Sequence, residues 1–131
     1  MEDFFKLEII SPEKIIFSDT IKMVTLPSYE GDMSILKYHV PIIAFLRPGI
    51  IKVQKNENSS ENFFVQDGTI EYFNDNLVIL STSAINIKNL SKELIEDLSK
   101  NAQEKLKIKD IPDNERYILN CQLDVLKEIR I

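Results

Sequence analysis

Residues 26–49, LPSYEGDMSILKYHVPIIAFLRPG, set a Glu-Gly-Asp turn, one histidine and two proline-anchored bends between apolar runs. Pro27 cannot donate to a sheet ladder and Gly31 can take positive φ, so residues 27–32 are predicted to turn and to present Glu30 and Asp32 to solvent. A second bend is expected at Arg47-Pro48-Gly49. Between the bends, Ile35, Leu36, Val40, Ile42, Ile43, Phe45 and Leu46 are read as core anchors, with Tyr38 and His39 at the rim.

Outward from this stretch, residues 4–83 are short apolar runs rich in Ile, Val and Phe, separated by turn clusters, the pattern of an all-β sandwich or barrel. Phe5, Leu7 and Ile9 alternate with Lys6 and Glu8, and Ser11-Pro12-Glu13 ends that strand. Further strands are read at 15–17, 21–26, 50–54, 63–66, 69–73 and 77–81, with a polar loop at 55–62. Asp67-Gly68 and Asn74-Asp75-Asn76 are read as tight turns, so the last three strands should form a meander.

Near residues 86–90 the period changes. Leu90, Leu94, Leu98, Ala102 and Leu106 recur every four residues, which predicts a helix over 91–107 capped by Ser91, with Glu93 favourable in its first turn. Pro112 closes a short connection and opens a second helix over 112–129. That helix carries two apolar stripes, Leu119, Leu123, Leu126 and Ile118, Cys121, Val125, Ile129, one more than a single helix partner needs. The fold class is therefore α+β, an antiparallel sandwich of nine to ten strands in residues 1–86, then an antiparallel two-helix hairpin in 87–131.

Composition narrows the function. At 131 residues and a net charge of -5, the chain lacks the basic patch that nucleic-acid binding requires. No apolar run approaches the ~18 residues of a membrane span, and neither end reads as a signal segment. The single cysteine, Cys121, forms no internal disulfide, which fits a reducing compartment. With one His and one Cys, a zinc site lacks ligands and a Cys-His nucleophile has poor materials. Gly31, Gly49 and Gly68 are turn glycines and form no phosphate cradle, so no catalytic residue, metal or cofactor is assigned.

The quoted stretch resembles the epsilon subunit of rotary F-type ATP synthases, whose pattern runs E-G-D-F-G-I-L-P-G-H-A-P and then L-x-P-G. Glu30, Gly31, Asp32, Ile35, Leu36, His39, Pro41, Leu46, Pro48 and Gly49 match it, whereas Ser34, Lys37 and Tyr38 stand where the pattern has Gly, Pro and Gly. A weaker match is F-V-x-x-G at residues 64–68, with Asp67-Gly68 where a Gly pair is frequent. The resemblance implies a non-catalytic central-stalk subunit of a proton-translocating ATP synthase, peripheral on the cytoplasmic face of a bacterial inner membrane and without direct membrane insertion. It implies partners in the gamma subunit and the c-ring, conditionally in the alpha/beta head. Glu30, Gly31, Asp32 and His39 would face the c-ring, coupling its rotation to gamma.

Some members bind ATP through I/L-D-x-x-R-A at the start of the second helix. Asp113 and Arg116 keep that spacing, Pro112 and Tyr117 break its flanks, and Leu123 stands where a second Arg is expected. Arg116, Lys127 and Arg130 are the candidate contacts by which the helices would restrain ATP hydrolysis, although residues 89–131 hold eight basic against nine acidic residues. The alternative readings are a stand-alone ligand-binding β sandwich with a helical oligomerisation tail, and a small enzyme using Asp32, Glu30 and His39. The first demands a pocket in the sandwich and the second a concave site.

Overall fold

The computed structural model describes residues 3–129, in two compact units, Met1–Ile87 and Lys88–Ile131. The first unit holds ten strands: β1 Phe5–Ile10, β2 Ile15–Ile21, β3 Met23–Ser28, β4 Gly31–Leu36, β5 Ile42–Leu46, β6 Gly49–Asn56, β7 Ser59–Val65, β8 Gly68–Phe73, β9 Asn76–Leu80 and β10 Ile85–Asn86. Hydrogen bonding runs β10-β7-β6-β3-β5-β8-β9-β1-β2, with β4 on β3. The β3–β5 pairing is the single step Ser28↔Leu46, and at this corner one layer (β10, β7, β6, β3, β4) turns over the other (β5, β8, β9, β1, β2). Alternate residues point inward and fill the space between the layers, among them Leu7, Ile9, Val24, Leu26, Ile35, Ile51, Phe63 and Tyr72.

Several local expectations are corrected. Pro27 lies inside β3, and the turn is only Tyr29-Glu30, closed by Ser28↔Gly31. The Pro27 carbonyl accepts from Arg47 N, so its nitrogen also points toward the β5 side; the missing N–H costs the β3–β4 ladder nothing. Polar residues 55–62 are the tip of the β6–β7 hairpin, not a loop. The meander does not form, because β7 pairs with β6 and β10 while β8 pairs with β5 and β9. Here Ser83 Oγ accepts from the backbone N–H groups of Gln66 and Asp67, and Ser81 Oγ donates to the Asp67 carbonyl. Side chains thus satisfy the link while it crosses between layers. One pairing, β1 with β9, is parallel.

The second unit is α1 Lys92–Leu106 and α2 Asp113–Glu128, packed on each other. Ser91 caps α1, its side chain accepting from Leu94 N at 3.1 Å. Pro112 holds the N-cap of α2 with φ -59°, and a proline there sacrifices no hydrogen bond. Ala102 and Leu126 are buried; Leu94, Leu98, Leu106, Leu119 and Leu123 are half-buried. Gln122, between the two apolar stripes of α2, is also buried, which the stripes did not foretell.

Candidate interaction surface

β5 is apolar on both faces. Ile42, Ala44 and Leu46 face the core, whereas Ile43 and Phe45, read from sequence as core anchors, are 71% and 63% exposed. Leu36 and Val40, from the same expectation, are exposed too. Register extends the outer face of β5 across the layer. Phe45 lies opposite Thr69, which lies opposite Leu80, and Leu80 opposite Ile10; in the next row Ile43 lies opposite Glu71, then Val78, then Glu8. Cross-strand neighbours share a face, so two apolar rows with acidic groups set in one of them form a continuous surface. A groove of about 610 Å³, lined by Ile10, Tyr29, Phe45 and Leu80 among others, lies at its end. In the sequence, β5 has no polar alternation, so both of its faces carry apolar side chains whichever way the pleat falls.

The Glu-Gly-Asp turn is braced by a residue that sequence reading passed over. Arg47 donates from Nε to the Ser28 carbonyl at 3.0 Å and from Nη2 to Asp32 Oδ1 at 2.7 Å, while its backbone N–H reaches Pro27. Asp32 is therefore ion-paired to the second bend. The pair is exposed enough that its contribution is ~1 kcal/mol or less, and its effect is to fix the hairpin against residues 46–49. Glu30 is exposed, and Gly31 takes φ +121°, a conformation that L side chains rarely adopt.

His39 sits beyond the far end of β4, five residues of strand rise or roughly 16 Å from Gly31. The structure thus brings Glu30, Gly31 and Asp32 together and places His39 apart, with no cleft enclosing all four. His39 Nδ1 meets the Val40 carbonyl at 2.6 Å, its backbone N–H donates to Leu36, and its ring stands edge-on to Tyr72, centroids 5.7 Å apart. Tyr72 is buried against Phe5 and donates from its hydroxyl to Asp75 Oδ1 at 2.8 Å. The same oxygen accepts from Tyr38 N at 3.1 Å. Tyr38 has φ 70°, a left-handed conformation that costs a non-glycine residue about 1–3 kcal/mol.

This cluster predicts a pH dependence. Burial, and then the bond to Asp75, push the Tyr72 phenol up to about 12 from 10.0. The bond from Tyr72, and next that from Tyr38 N, hold Asp75 below its ordinary value of 3.8. For Tyr72 the folded state keeps the proton longer, so its stabilisation is full below pH 10 and is lost between pH 10 and 12. Thermal melts over that window should show a loss on the order of 2 kcal/mol, absent in Tyr72→Phe. Asp75 acts in the opposite sense, its stabilisation being present above pH 3.8 and lost as pH falls further.

In the helical unit, Asp113 and Arg116 are exposed on the first turn of α2. A hollow of about 530 Å³ at the inter-helix turn is lined by Lys105, Ile108, Lys109, Ile111 and Glu115 among others, and by neither Asp113 nor Arg116. Lys127 is exposed in the last turn, and Arg130 lies outside the described residues. Cys121 is half-buried in α2, in a different unit from His39. Among the described residues, no three His, Cys, Asp or Glu side chains gather to hold a metal ion, and no helix is long and apolar enough to cross a membrane.

These features define a class: a β sandwich bearing a solvated apolar face, continued by a helical hairpin. Residues 4–87 match the family described as ATP synthase, Delta/Epsilon chain, beta-sandwich domain. The chain is 42% identical to the ATP synthase epsilon chain of Pelagibacter ubique over 98% of its own length and 99% of the relative's. It is 31% identical to that of Parvibaculum lavamentivorans over 99% and 98%. The chain therefore belongs to the ATP synthase epsilon chain family. The same fold occurs in a mitochondrial ATP synthase structure from Euglena gracilis that includes F1 and the c-ring (TM-score 0.72, 18% identity, 92% of this chain and 76% of that one). It also occurs in the central stalk and c-ring structure from Tetrahymena thermophila (TM-score 0.65, 15% identity, 94% and 93%).

Proposed function

We propose that this chain is a non-catalytic subunit of the central rotor stalk of a proton-translocating ATP synthase, peripheral on the cytoplasmic face of a bacterial inner membrane. The observation that carries the reading is the apolar outer face of β5, β8, β9 and β1, which in the isolated chain exposes Ile43, Phe45 and Leu80 to water. A patch of this kind marks a macromolecular contact. The gamma subunit is its occupant, presenting apolar anchors and a basic residue toward Glu71 and Glu8. The Glu30–Asp32 hairpin and the residue 37–40 turn, at the two ends of β4, face the c-ring. The densely packed sandwich between these contacts passes torque without yielding. Bond-making then belongs to other subunits.

The ligand-binding alternative asks for an internal pocket, and Tyr72, Phe63, Val65 and Ile70 fill the interior. Binding tests the reading: tagged chain added to the solubilised ATP synthase of its host should recover gamma, and a chain recovered only as a homo-oligomer would refute it.

The helices supply a regulatory arm that restrains ATP hydrolysis weakly, through Arg116 and Lys127, with Arg130 following them in the sequence. The near balance of charge in residues 89–131 sets that weakness, and a contact of ATP with Asp113 and Arg116 is a secondary element of the same arm. Ending the chain after Lys88 should raise ATP hydrolysis of the assembled enzyme by no more than about fivefold, since two exposed ion pairs supply ~1 kcal/mol or less. Unchanged hydrolysis would remove the arm from the account and leave the rotor role intact.

A further inference from the structure

We propose that Tyr38 is the specificity-determining contact of the residue 37–40 turn with a c-ring loop, and that Asp75, Tyr72 and His39 are positioning residues that present it; this deepens the ring-facing reading above and rests on it. The occupant is a polar loop whose carbonyl or carboxylate oxygens meet the Tyr38 hydroxyl and the adjacent ammonium.

The argument starts from a double cost at one residue. Tyr38 holds a left-handed φ of 70°, and the residue is 72% exposed. A glycine would remove both the backbone strain and the exposed aromatic surface. A strained residue that persists in spite of a simpler solution points to a use for its side chain. The surrounding structure is arranged to keep it there. Asp75, 37 positions away on the β8–β9 turn, accepts the Tyr38 backbone N–H, and the buried Tyr72 hydroxyl fixes that carboxylate. His39 is occupied with the Val40 carbonyl and the Tyr72 ring, so its imidazole is a brace. Lys37 Nζ stands 5.3 Å from the centre of the Tyr38 ring, covering one face with a cation. The hydroxyl and the rest of the ring remain for the partner. A cationic aromatic unit is complementary to oxygen-rich loop backbone and unsuited to a basic surface.

The experiment compares affinity for two preparations, the host's ATP synthase depleted of this chain and the same enzyme stripped of its c-ring. Tyr38→Gly should bind the ring-containing enzyme roughly tenfold more weakly and the ring-free enzyme as the parent does, with a thermal midpoint at or above the parent's. Asp75→Ala should repeat the pattern, and Asp75→Asn, which keeps the acceptor oxygen, should restore most of the affinity. Parental affinity of Tyr38→Gly for the ring-containing enzyme overturns the proposal alone. Equal affinity of the parent chain for both preparations overturns the ring contact itself, and this proposal with it.

Discussion

Replacing Ile43 and Phe45 together by Asp will abolish association with the rest of the enzyme while leaving the sandwich folded. Both side chains are on the outer face of β5, 71% and 63% exposed, so neither contributes to the inter-layer core. Two aromatic or aliphatic anchors at the centre of an interface carry about 2 kcal/mol each, and together their loss weakens binding on the order of a thousandfold. Burying two carboxylates against an apolar partner adds to this, and the acidic groups already present at Glu71 and Glu8 deepen the mismatch. Titration calorimetry with depleted enzyme, beside a thermal melt, measures both halves. Binding within a few-fold of the parent would refute the proposed docking of gamma on this face. The milder variant Glu71→Lys tests the charge argument by itself, since it should slow association and reduce its salt dependence.

The second large effect concerns stability. A Cβ on Gly49 would stand 2.5 Å from Pro27 Cβ and 2.7 Å from its Cγ. A proline ring cannot rotate away, and its carbonyl is tied to Arg47 N, so the clash has to be relieved by opening the corner between β3 and β6. Overpacking of this kind costs about 1–3 kcal/mol for Ala and more for Val. A loss of ~3 kcal/mol lowers the melting point of a unit this size by roughly 12–24 °C. Gly49→Val is therefore expected to be mostly unfolded at moderate temperature, and Pro27→Gly in the same chain should recover part of the loss, because the two positions share one contact. Gly31→Ala separates strain from crowding. Its Cβ would meet nothing within 4 Å, so the cost is that of the φ +121° backbone alone, about 1–3 kcal/mol. If Gly49→Val melts like the parent, the close approach to Pro27 is not what fixes this bend.

How far the sequence carried depended on which interaction decides each feature. The strands, the change of period before Leu90 and the Ser91 cap were legible because they are local, set by alternation, spacing and one side-chain hydrogen bond. Strand partners were not. Nothing in the residues flanking Asp67-Gly68 states that two serines 14 to 17 positions away hold that link, so a hairpin was expected where the chain crosses layers. Likewise Pro27 was read as a turn because its missing N–H was assumed to be needed, whereas only the side on which it points decides the matter.

The site shows the same division. The acidic turn and the lone histidine were visible as residue types, but their braces were not, since Arg47 is 15 positions from Asp32 and Asp75 is 37 from Tyr38. The apolar outer face was missed for a different reason. Hydrophobicity alone gives Ile43 and Leu46 the same reading, and only the pleat assigns one to water and the other to the core.

Reconstitution tests the central claim most directly. Membranes carrying the host ATP synthase without this subunit, energised by a proton gradient, should synthesise ATP poorly, and adding the purified chain should restore synthesis in proportion to the amount bound, with the Ile43→Asp/Phe45→Asp variant inactive. Full synthesis without the chain, or none regained when it is bound at the stalk, would contradict the proposed coupling between ring and shaft.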